Sequence, residues 1–314
     1  MDLSESDSDD DAPTPRMVDV SDPADETNGG RSYGQNYAKS AAATARAARP
    51  GSGSSSGDLG DLRALLFTPG PTDALIQCRV DRHKGGLTSP AYFELRLESN
   101  NRVLLSAERI KHLNHSSYKI KFGSIRMGDD KLVGKLKSNS HATEYSLHGP
   151  GLNAKKLSVW DDGFDEARAE ARQQIATVKM VPRVTTHRML LPNSQGPRDM
   201  QCTAKDLSGG ESSVGDASSE LHQLNNRKPR YDHDDKGFVL DFGGRVEMSS
   251  RKNFILEVGG GDDEDEEKRL AMVFGRGPKH EGKNCFKLDY GWPLTPLQAF
   301  GLALSHMDHS RRTI

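Results

Sequence analysis

The chain has 314 residues, with 43 Lys and Arg against 45 Asp and Glu, which gives a formal net charge of −2 at pH 7. This near-neutral balance argues against a general nucleic-acid-binding protein, because such proteins usually carry a basic excess. Only 34% of the residues are hydrophobic, which predicts one globular domain joined to a long polar segment. Any recognition of an anion must therefore depend on a local cluster of charge.

The composition also predicts a soluble intracellular protein. The amino terminus, MDLSESDSDDD, is acidic, whereas secretory signals and transit peptides carry basic residues. No apolar run reaches the roughly 18 residues that a transmembrane helix needs. The cysteines, Cys78, Cys202 and Cys285, are widely spaced, odd in number and without a CxxC pattern. That spacing favours reduced thiols over a disulfide framework or a zinc site.

Residues 1–60 are predicted to be a disordered tail and linker. An acid and serine run at 2–11 is followed by the alanine-rich AAATARAARP (41–50) and by GSGSSSGDLG (51–60). These segments cannot bury enough apolar surface to offset the conformational entropy lost on folding. The acid and serine run is either a target for acidophilic kinases or simply a solubilising tail.

From residue 61 to residue 314 the pattern is that of a β domain. In YKIKF (118–122) the apolar side chains alternate with two lysines, and AYFELRL (91–97) shows the same period of two. This period is typical of half-buried antiparallel strands. The further strand candidates are LIQCRV (75–80), RVLLSA (102–107), KLVGKLK (131–137), EYSL (144–147), RMLLP (188–192), GFVLDF (237–242), GRVEM (244–248), NFILEV (253–258), RLAMVF (269–274) and CFKLDY (285–290).

Turns and loops are predicted between these strands. The Gly243–Gly244 pair favours a tight hairpin or a bulge. Two polar segments, 206–219 and 259–267, are predicted to be loops. The acidic run in the second lacks the spaced ligands and central glycine of an EF-hand, so a solvated loop is preferred to a calcium site.

The segment LTPLQAFGLALSHMD (294–308) is the clearest helix in the sequence. Thr295 is suited to cap it, Pro296 to occupy its first turn, and Gln298 to complete a capping box. Its apolar residues leave no continuous polar face, so the helix must be buried, and it is too short to span a membrane. About a dozen strands around one buried helix predict a closed antiparallel barrel threaded by that helix.

Catalytic and metal-binding motifs are not found at convincing spacings. The segment GRGPKHEGK (275–283) lacks the glycine and lysine spacing of a phosphate loop, and no helix is predicted to follow it. His112 and His115 lie three residues apart, and carboxylates surround His233, but neither set includes a third and fourth ligand at a recognisable spacing. We therefore predict no catalytic residues, no metal and no cofactor, and a protein that is not an enzyme.

Several motifs resemble the tubby family. They are NRKPRYDHDDKGFVLDFGGRVEMSSRKNFIL (226–256), MVFGRGPKHEGKNCFKLDYGWPLTPLQAFGLALSHMD (272–308) and, upstream and in the family's order, IQCRVDRHKGG, AYFELRLE, SSYKIKF, LVGKLKSN and ARQQIATV. The resemblance covers roughly 70–314. It implies a barrel of twelve strands around a central hydrophobic helix and a domain that binds phosphoinositides, usually phosphatidylinositol 4,5-bisphosphate. Some members are membrane-tethered signalling proteins, and others are adaptors that deliver membrane cargo to cilia.

The segment GKLKSN (134–139) places Lys135 and Lys137 on one face of a predicted strand. Composition alone favours a solvated face. The resemblance, however, implies that both residues bind the lipid headgroup, together with Arg172, and that Ser117 stands where the family has an asparagine. The family has arginine where this chain has Lys137, so the charge is kept but the planar bidentate fork is lost. Arg172 lies in a polar segment, DEARAEARQQ (165–174), and it could occupy any face of a predicted helix there.

Other family features are missing from the sequence. The first 60 residues show no apolar helical pattern that could fold as the F-box of many plant members. YAKSAAATARAARP (37–50) is a poor match to the amphipathic helix of the ciliary cargo adaptors, and HSRRTI replaces the usual C-terminal ending. The resemblance thus implies a protein that docks on inner-leaflet phosphatidylinositol 4,5-bisphosphate as a signalling protein or a membrane-cargo adaptor. We expect a monomer, and the overall acidity and the lack of a base-reading motif argue against nucleic acid as a partner.

Two alternatives remain open at this stage. One is a nuclear, transcription-linked regulator that uses a basic groove, and the other is a barrel that has lost lipid binding and whose tail does the work. The expected location is the cytoplasm, peripheral to the plasma membrane, with the cilium and the nucleus as alternatives.

The predicted boundary is testable by limited proteolysis. Exposed, polar segments are cut first, so we expect trimming to a stable core that begins between about residue 58 and residue 75, identified by mass spectrometry. Protection of the first 60 residues to the same degree as the barrel would contradict the boundary.

Overall fold

The computed structural model describes residues 63–86, 90–125, 132–152, 171–182, 198–216, 218–232, 237–259 and 268–312. Strands dominate these residues, and one long helix, α1 (Pro296–Arg312), closes the chain. The strands are β1 (Ile76–His83), β2 (Tyr92–Leu97), β3 (Val103–Lys111), β4 (Ser116–Phe122), β5 (Leu132–Ser138), β6 (Glu144–His148), β7 (Gln174–Pro182), β8 (Arg198–Lys205), β9 (Leu221–Asn226), β10 (Arg230–Asp232), β11 (Gly237–Val239), β12 (Phe254–Val258), β13 (Arg269–Arg276) and β14 (Cys285–Tyr290).

Twelve of the described strands form a closed antiparallel barrel. Its order is β1-β14-β13-β12-β9-β8-β7-β6-β5-β4-β3-β2. Strands that are neighbours in the sequence pair with each other around the barrel, with two exceptions. The strand β12 pairs with β9, because β10 and β11 form a separate two-stranded ribbon, and β14 closes the barrel by pairing with β1. Because the sheet is closed, it exposes no unpaired edge. The twelve-strand barrel predicted from the sequence is confirmed.

The helix α1 lies in the core of the barrel. Leu297, Phe300 and Leu304 are fully buried in the same apolar cluster as the inward side chains of the strands. The predicted capping box is present: the Thr295 backbone N–H donates to Gln298 Oε1 at 3.0 Å, and the Gln298 N–H donates to Thr295 Oγ1 at 3.3 Å. The buried amide of Gln298 also donates to two strand carbonyls, Ile175 O at 3.0 Å and Lys205 O at 2.8 Å.

At its other end α1 is held by a buried carboxylate. Asp308 is 1% exposed and accepts hydrogen bonds from the hydroxyl groups of Tyr118 at 2.9 Å and Tyr145 at 3.2 Å. Arg109 Nε lies 3.6 Å from the same carboxylate. A buried charge is tolerated only when it is paired and hydrogen-bonded. These contacts therefore tie α1 to β3, β4 and β6.

Two glycines allow α1 to approach this part of the wall closely. A Cβ added at Gly134 on β5 would lie 3.0 Å from Leu297 Cδ1, and one added at Gly301 on α1 would lie 2.7 Å from Leu147 Cδ2. Distances this short are rarely or never observed for real Cβ atoms, because neighbouring side chains in a close-packed interior have little room to move away. The glycine of GKLKSN is thus required by packing.

Some of the predicted local structure is wrong. The strands β7, β8 and β9 were not among the strand candidates, and GRVEM (244–248) contains only an isolated bridge, Met248 to Arg276. Gly243 and Gly244 do form a tight turn, with φ of 58° and 73°, but no barrel strands flank it.

The residues that flank this turn pack elsewhere. Phe242 and Val246 form a second apolar cluster with outward-facing residues of β12 and β13, including Ile255 and Val273. The segment packs over the outer wall of the barrel, which explains why it does not form a hairpin.

The predicted loop at 206–219 is confirmed and contains a short 3-10 helix, Gly210–Gly215. Of the candidates, RMLLP lies outside the described residues, as does nearly all of the acidic segment 259–267.

The buried position of α1 predicts the effect of a charge in its centre. Phe300→Asp should prevent folding, because burying an unpaired carboxylate costs several kcal/mol, a large part of the roughly 5–15 kcal/mol that stabilises a domain. Thermal unfolding followed by circular dichroism should show no cooperative transition, whereas Phe300→Leu should still melt cooperatively. A normal melt for Phe300→Asp would argue against the threaded barrel.

Candidate anion-binding surface

Three adjacent strands bring basic side chains together on the outer wall of the barrel. Lys119 on β4 pairs with Lys135 on β5, and Lys135 pairs with His148 on β6. Lys137, two residues further along β5, pairs with Ser117 of β4. Neighbouring strands lie about 4.8 Å apart, and residues two apart on a strand are about 7 Å apart. The side chains therefore form a compact group.

The alternation of the strands directs these side chains outward. Tyr118, Ile120 and Leu136 are buried in the core, so the residues between them face the opposite side of the sheet. Lys137 is exposed, and Lys135 is partly buried. Lys119 is partly exposed, so its predicted outward direction is observed, whereas Lys121 is 7% exposed and lies at an irregularity in the β4–β5 pairing.

Arg172 is positioned by the backbone that leads into β7. Its N–H donates to Leu152 O at 2.9 Å, and its side-chain Nε donates to Gly151 O at 2.7 Å. Among the described residues, the two terminal guanidinium nitrogens have no hydrogen-bond partner. The direction of the Arg172 head is thus set by Gly151 O. We call Lys119, Lys135, Lys137, His148 and Arg172 the basic cluster.

The cations of the basic cluster repel one another. Partial burial lowers the pKa of Lys135, and the charges of Lys137, Arg172 and Lys119 lower it further. Burial likewise lowers the pKa of His148, and Lys137 and Arg172 add to this effect. The charges that lower these two pKa values are all positive, so an anion placed among them would relieve the repulsion. On its other side, Lys119 pairs with Glu108 of β3.

Ser117 is next to the basic cluster but is not open to it. Its side chain is 1% exposed, and its hydroxyl oxygen lies 3.0 Å from His112 Nε2. Serine is shorter than the family's asparagine, and here its buried hydroxyl contacts His112 within the barrel wall, next to the turn between β3 and β4. A role for Ser117 in contacting a ligand stays a prediction.

Sequence reasoning missed Lys119 and His148 as members of the site. The alternation in YKIKF showed that Lys119 faces outward, but only the register of β4 against β5 places it beside Lys135. His148 follows no motif, and its position depends on the pairing of β5 with β6. The partners across a strand are not encoded in a local pattern.

Metal binding finds no support in the part of the chain that the structure describes. No group of three or more His, Cys, Asp or Glu side chains there is arranged to hold a metal ion. The rings of His112 and His115 stack on each other, with centroids 4.1 Å apart, and His233 lies outside the described residues. None of the described helices is both long enough and apolar enough to cross a membrane.

A closed barrel threaded by a hydrophobic helix, with a basic cluster on its outer wall, defines a distinctive class of protein. Residues 66–309 match the family model described as the Tub family, and the chain belongs to the tubby family. It is 27% identical to human Tubby-related protein 3 over 275 residues, 29% identical to mouse Tubby-related protein 2 over 266 residues, and 27% identical to Tubby-like F-box protein 11 of Arabidopsis thaliana over 290 residues.

These matches cover different shares of the relatives. They include 80%, 79% and 77% of this chain, but 58%, 44% and 73% of the respective relatives. The chain thus spans about half the length of the animal relatives. The resemblance seen in the sequence motifs is confirmed at the level of the family.

The electrostatics of the basic cluster predict how His148 titrates. Lys137→Met removes a positive charge while keeping a side chain of similar length, so the pKa of His148 should rise toward its ordinary value of 6.5. Lys179→Ala is a matched control, because Lys179 pairs with Glu144 at the far end of β6. An NMR titration of the imidazole would measure both variants. Equal His148 pKa values in the parent and in Lys137→Met would contradict the proposed coupling.

Proposed function

We propose that the basic cluster binds the phosphorylated inositol headgroup of a membrane lipid, and that the protein is a phosphoinositide-binding module rather than an enzyme. The observation that carries this proposal is the register that sets Lys119, Lys135 and Lys137 side by side on β4 and β5. The charges of these neighbours and of Arg172 lower the pKa of Lys135, and an anion of several charges would relieve that repulsion. Phosphatidylinositol 4,5-bisphosphate, the usual ligand implied by the tubby resemblance, has this character.

The parts of the basic cluster suit different tasks. Lys135 and Lys137 project from one strand face about 7 Å apart, a spacing that allows each ammonium to meet a different phosphate of one headgroup. Arg172 is held through its Nε on Gly151 O, so its planar head can donate two parallel hydrogen bonds to one phosphate. Lys119, across from Lys135, adds positive charge to the same surface.

This arrangement compensates for the departures from the family motif. Lysine at 137 keeps the charge but not the bidentate geometry of arginine, and Ser117 points to His112. Lys119 and His148 supply further donors beside the same strand. We therefore propose that headgroup binding is shared among more side chains than the motif alone suggests.

Binding of this kind places the protein at the cytoplasmic face of a membrane as a peripheral protein. Such docking would suit a signalling protein that is later released from the membrane. It would equally suit an adaptor that carries membrane-protein cargo, including cargo for cilia. The proposal concerns the docking step that these roles share. Each basic residue near an anionic surface contributes roughly 1 kcal/mol, so a cluster of four or five suffices for reversible attachment.

Loss of the lysine pair should release the protein from the membrane. We expect Lys135→Ala with Lys137→Ala to weaken binding to liposomes with phosphatidylinositol 4,5-bisphosphate by about tenfold or more, with an unchanged thermal melt. Lys137→Arg should strengthen binding, because a guanidinium holds two phosphate oxygens at once. Co-sedimentation at two salt concentrations would measure both effects.

The controls separate headgroup recognition from simple attraction. Lys179→Ala removes one exposed lysine outside the basic cluster and should bind as the parent does. Phosphatidylserine liposomes of matched charge should bind more weakly, with a stronger dependence on salt. Equal binding of the parent and the double variant would refute the site, and equal binding to both lipids would reduce it to non-specific electrostatics.

His148 makes binding depend on pH. Its pKa is lowered in the free protein, and a bound anion favours the imidazolium and raises it. Binding therefore takes up a proton at His148, and the contribution of His148 to affinity should increase as the pH falls from about 7.5 to about 5.5. Comparison with His148→Asn removes every pH effect that does not involve His148, including protonation of the headgroup phosphates, so the parent should gain affinity relative to that variant as the pH falls. Identical pH profiles for the two proteins would exclude His148 from the site.

A further inference from the structure

The turn between β3 and β4 presents a leucine that has no role in the fold. Leu113 is 100% exposed, although it lies at the tip of an ordered turn in which the His112 N–H donates to His115 O at 3.1 Å. Turn tips usually carry Gly, Asn, Asp or Ser. A fully exposed leucine contributes nothing to packing, so its side chain is available for a contact outside the barrel.

The turn is held rigidly in the direction it points. The rings of His112 and His115 stack at 4.1 Å with an angle of 8° between their planes. His112 also contacts the Ser117 hydroxyl, and the adjacent Ser116 N–H donates to Ser138 Oγ at 2.9 Å. Leu113 is therefore presented outward by the wall of the barrel instead of folding back onto it.

A basic surface surrounds the leucine. An open pocket of about 480 Å³ lies at the base of the turn and has no carboxylate in its lining, which consists of Arg109, Lys111, His112, Leu113, His115, Ser140 and His141. Arg109 lies 3.6 Å from the buried Asp308, so Lys111 is the main positive charge at the mouth, and the imidazoles add polar groups to the rim. This combination of one apolar tip and a basic rim complements an anionic lipid surface.

The position of the turn connects it to the basic cluster. Ser117, which contacts His112, pairs with Lys137 across β4 and β5. Three large hydrophobic residues are exposed among the described residues, namely Leu113, Leu152 and Leu221. Leu152 accepts the backbone hydrogen bond of Arg172, so two of the three flank the basic cluster at its opposite ends. A surface of this kind fits a flat bilayer better than a small soluble anion.

We propose that the β3–β4 turn is a membrane anchor that inserts Leu113 at the boundary between headgroups and acyl chains of an anionic bilayer. The inference rests on the proposed headgroup binding and adds to it a second contact, which is apolar and set beside the first. The headgroup site selects the lipid, and the leucine lengthens the stay of the protein on the bilayer. Because apolar burial is not screened by salt, this contact persists where the electrostatic one weakens.

The insertion of Leu113 is measured directly with an environment-sensitive probe. The native cysteines, Cys78, Cys202 and Cys285, are all buried, so a cysteine introduced by Leu113→Cys is labelled selectively with a nitrobenzoxadiazole dye. We expect its fluorescence to rise on liposomes of phosphatidylcholine with phosphatidylinositol 4,5-bisphosphate, and to be quenched by brominated acyl chains. Leu221→Cys on β9 is the matched control and should stay aqueous.

Co-sedimentation of substituted proteins provides the energetic test. Leu113→Ser should weaken binding to the same liposomes by about tenfold, whereas Leu113→Phe should preserve it, and both should keep the thermal melt of the parent. The loss in Leu113→Ser should be similar at low and high salt, in contrast to the loss in the Lys135→Ala, Lys137→Ala variant.

The outcomes distinguish the two proposals. If the parent binds these liposomes but the probe at 113 stays as aqueous as the probe at 221, the anchor is refuted and the headgroup site stands. If the parent does not bind liposomes with phosphatidylinositol 4,5-bisphosphate at all, the headgroup site and the anchor both fail.

Discussion

The architecture depends on satisfying polar groups at both ends of a helix that is enclosed by the sheet. Near its start, Gln298 donates to two strand carbonyls, and near its end the Asp308 carboxylate is held by Tyr118 and Tyr145. Leaving any of these groups unpaired in the core would cost a substantial part of the net stability. The helix and the closed barrel are therefore mutually dependent, since neither buries its apolar surface without the other.

The same constraint determines where a surface site can be rigid. The wall formed by β5 and β6 packs close to the helix, with Gly134 against Leu297 and Gly301 against Leu147, and His309 Nδ1 lies 2.8 Å from Ala142 O in the turn after β5. Cations that repel one another would separate on a mobile loop. On this wall the core fixes their backbones, which would preorganise the proposed site for an anion.

The sequence predicts those features that depend on local periodicity. The alternation in YKIKF identified β4, and the Thr295–Gln298 capping box identified the start of the helix. The strands β7 to β9 were missed for physical reasons: β7 follows a run rich in Ala, Glu and Arg that favours a helix, and the inward residues of β8 include the small or soft Met200, Cys202 and Ala204. Lys119 and His148 were missed because register is a property of the closed sheet, not of any one segment.

The overall charge of −2 and the basic cluster have complementary consequences for the proposed membrane docking. A uniformly basic surface would adhere to every anionic polymer in the cell, and its attachment would fall steeply with salt. Here the basic cluster gathers positive charge on one wall, and the exposed Leu113 and Leu152 adjoin it. Electrostatic attraction then orients that wall toward the bilayer, close contacts with the headgroup determine which lipid is bound, and the apolar contact slows departure. Since these three effects depend differently on salt, on lipid and on pH, each can be changed by substitution without removing the others.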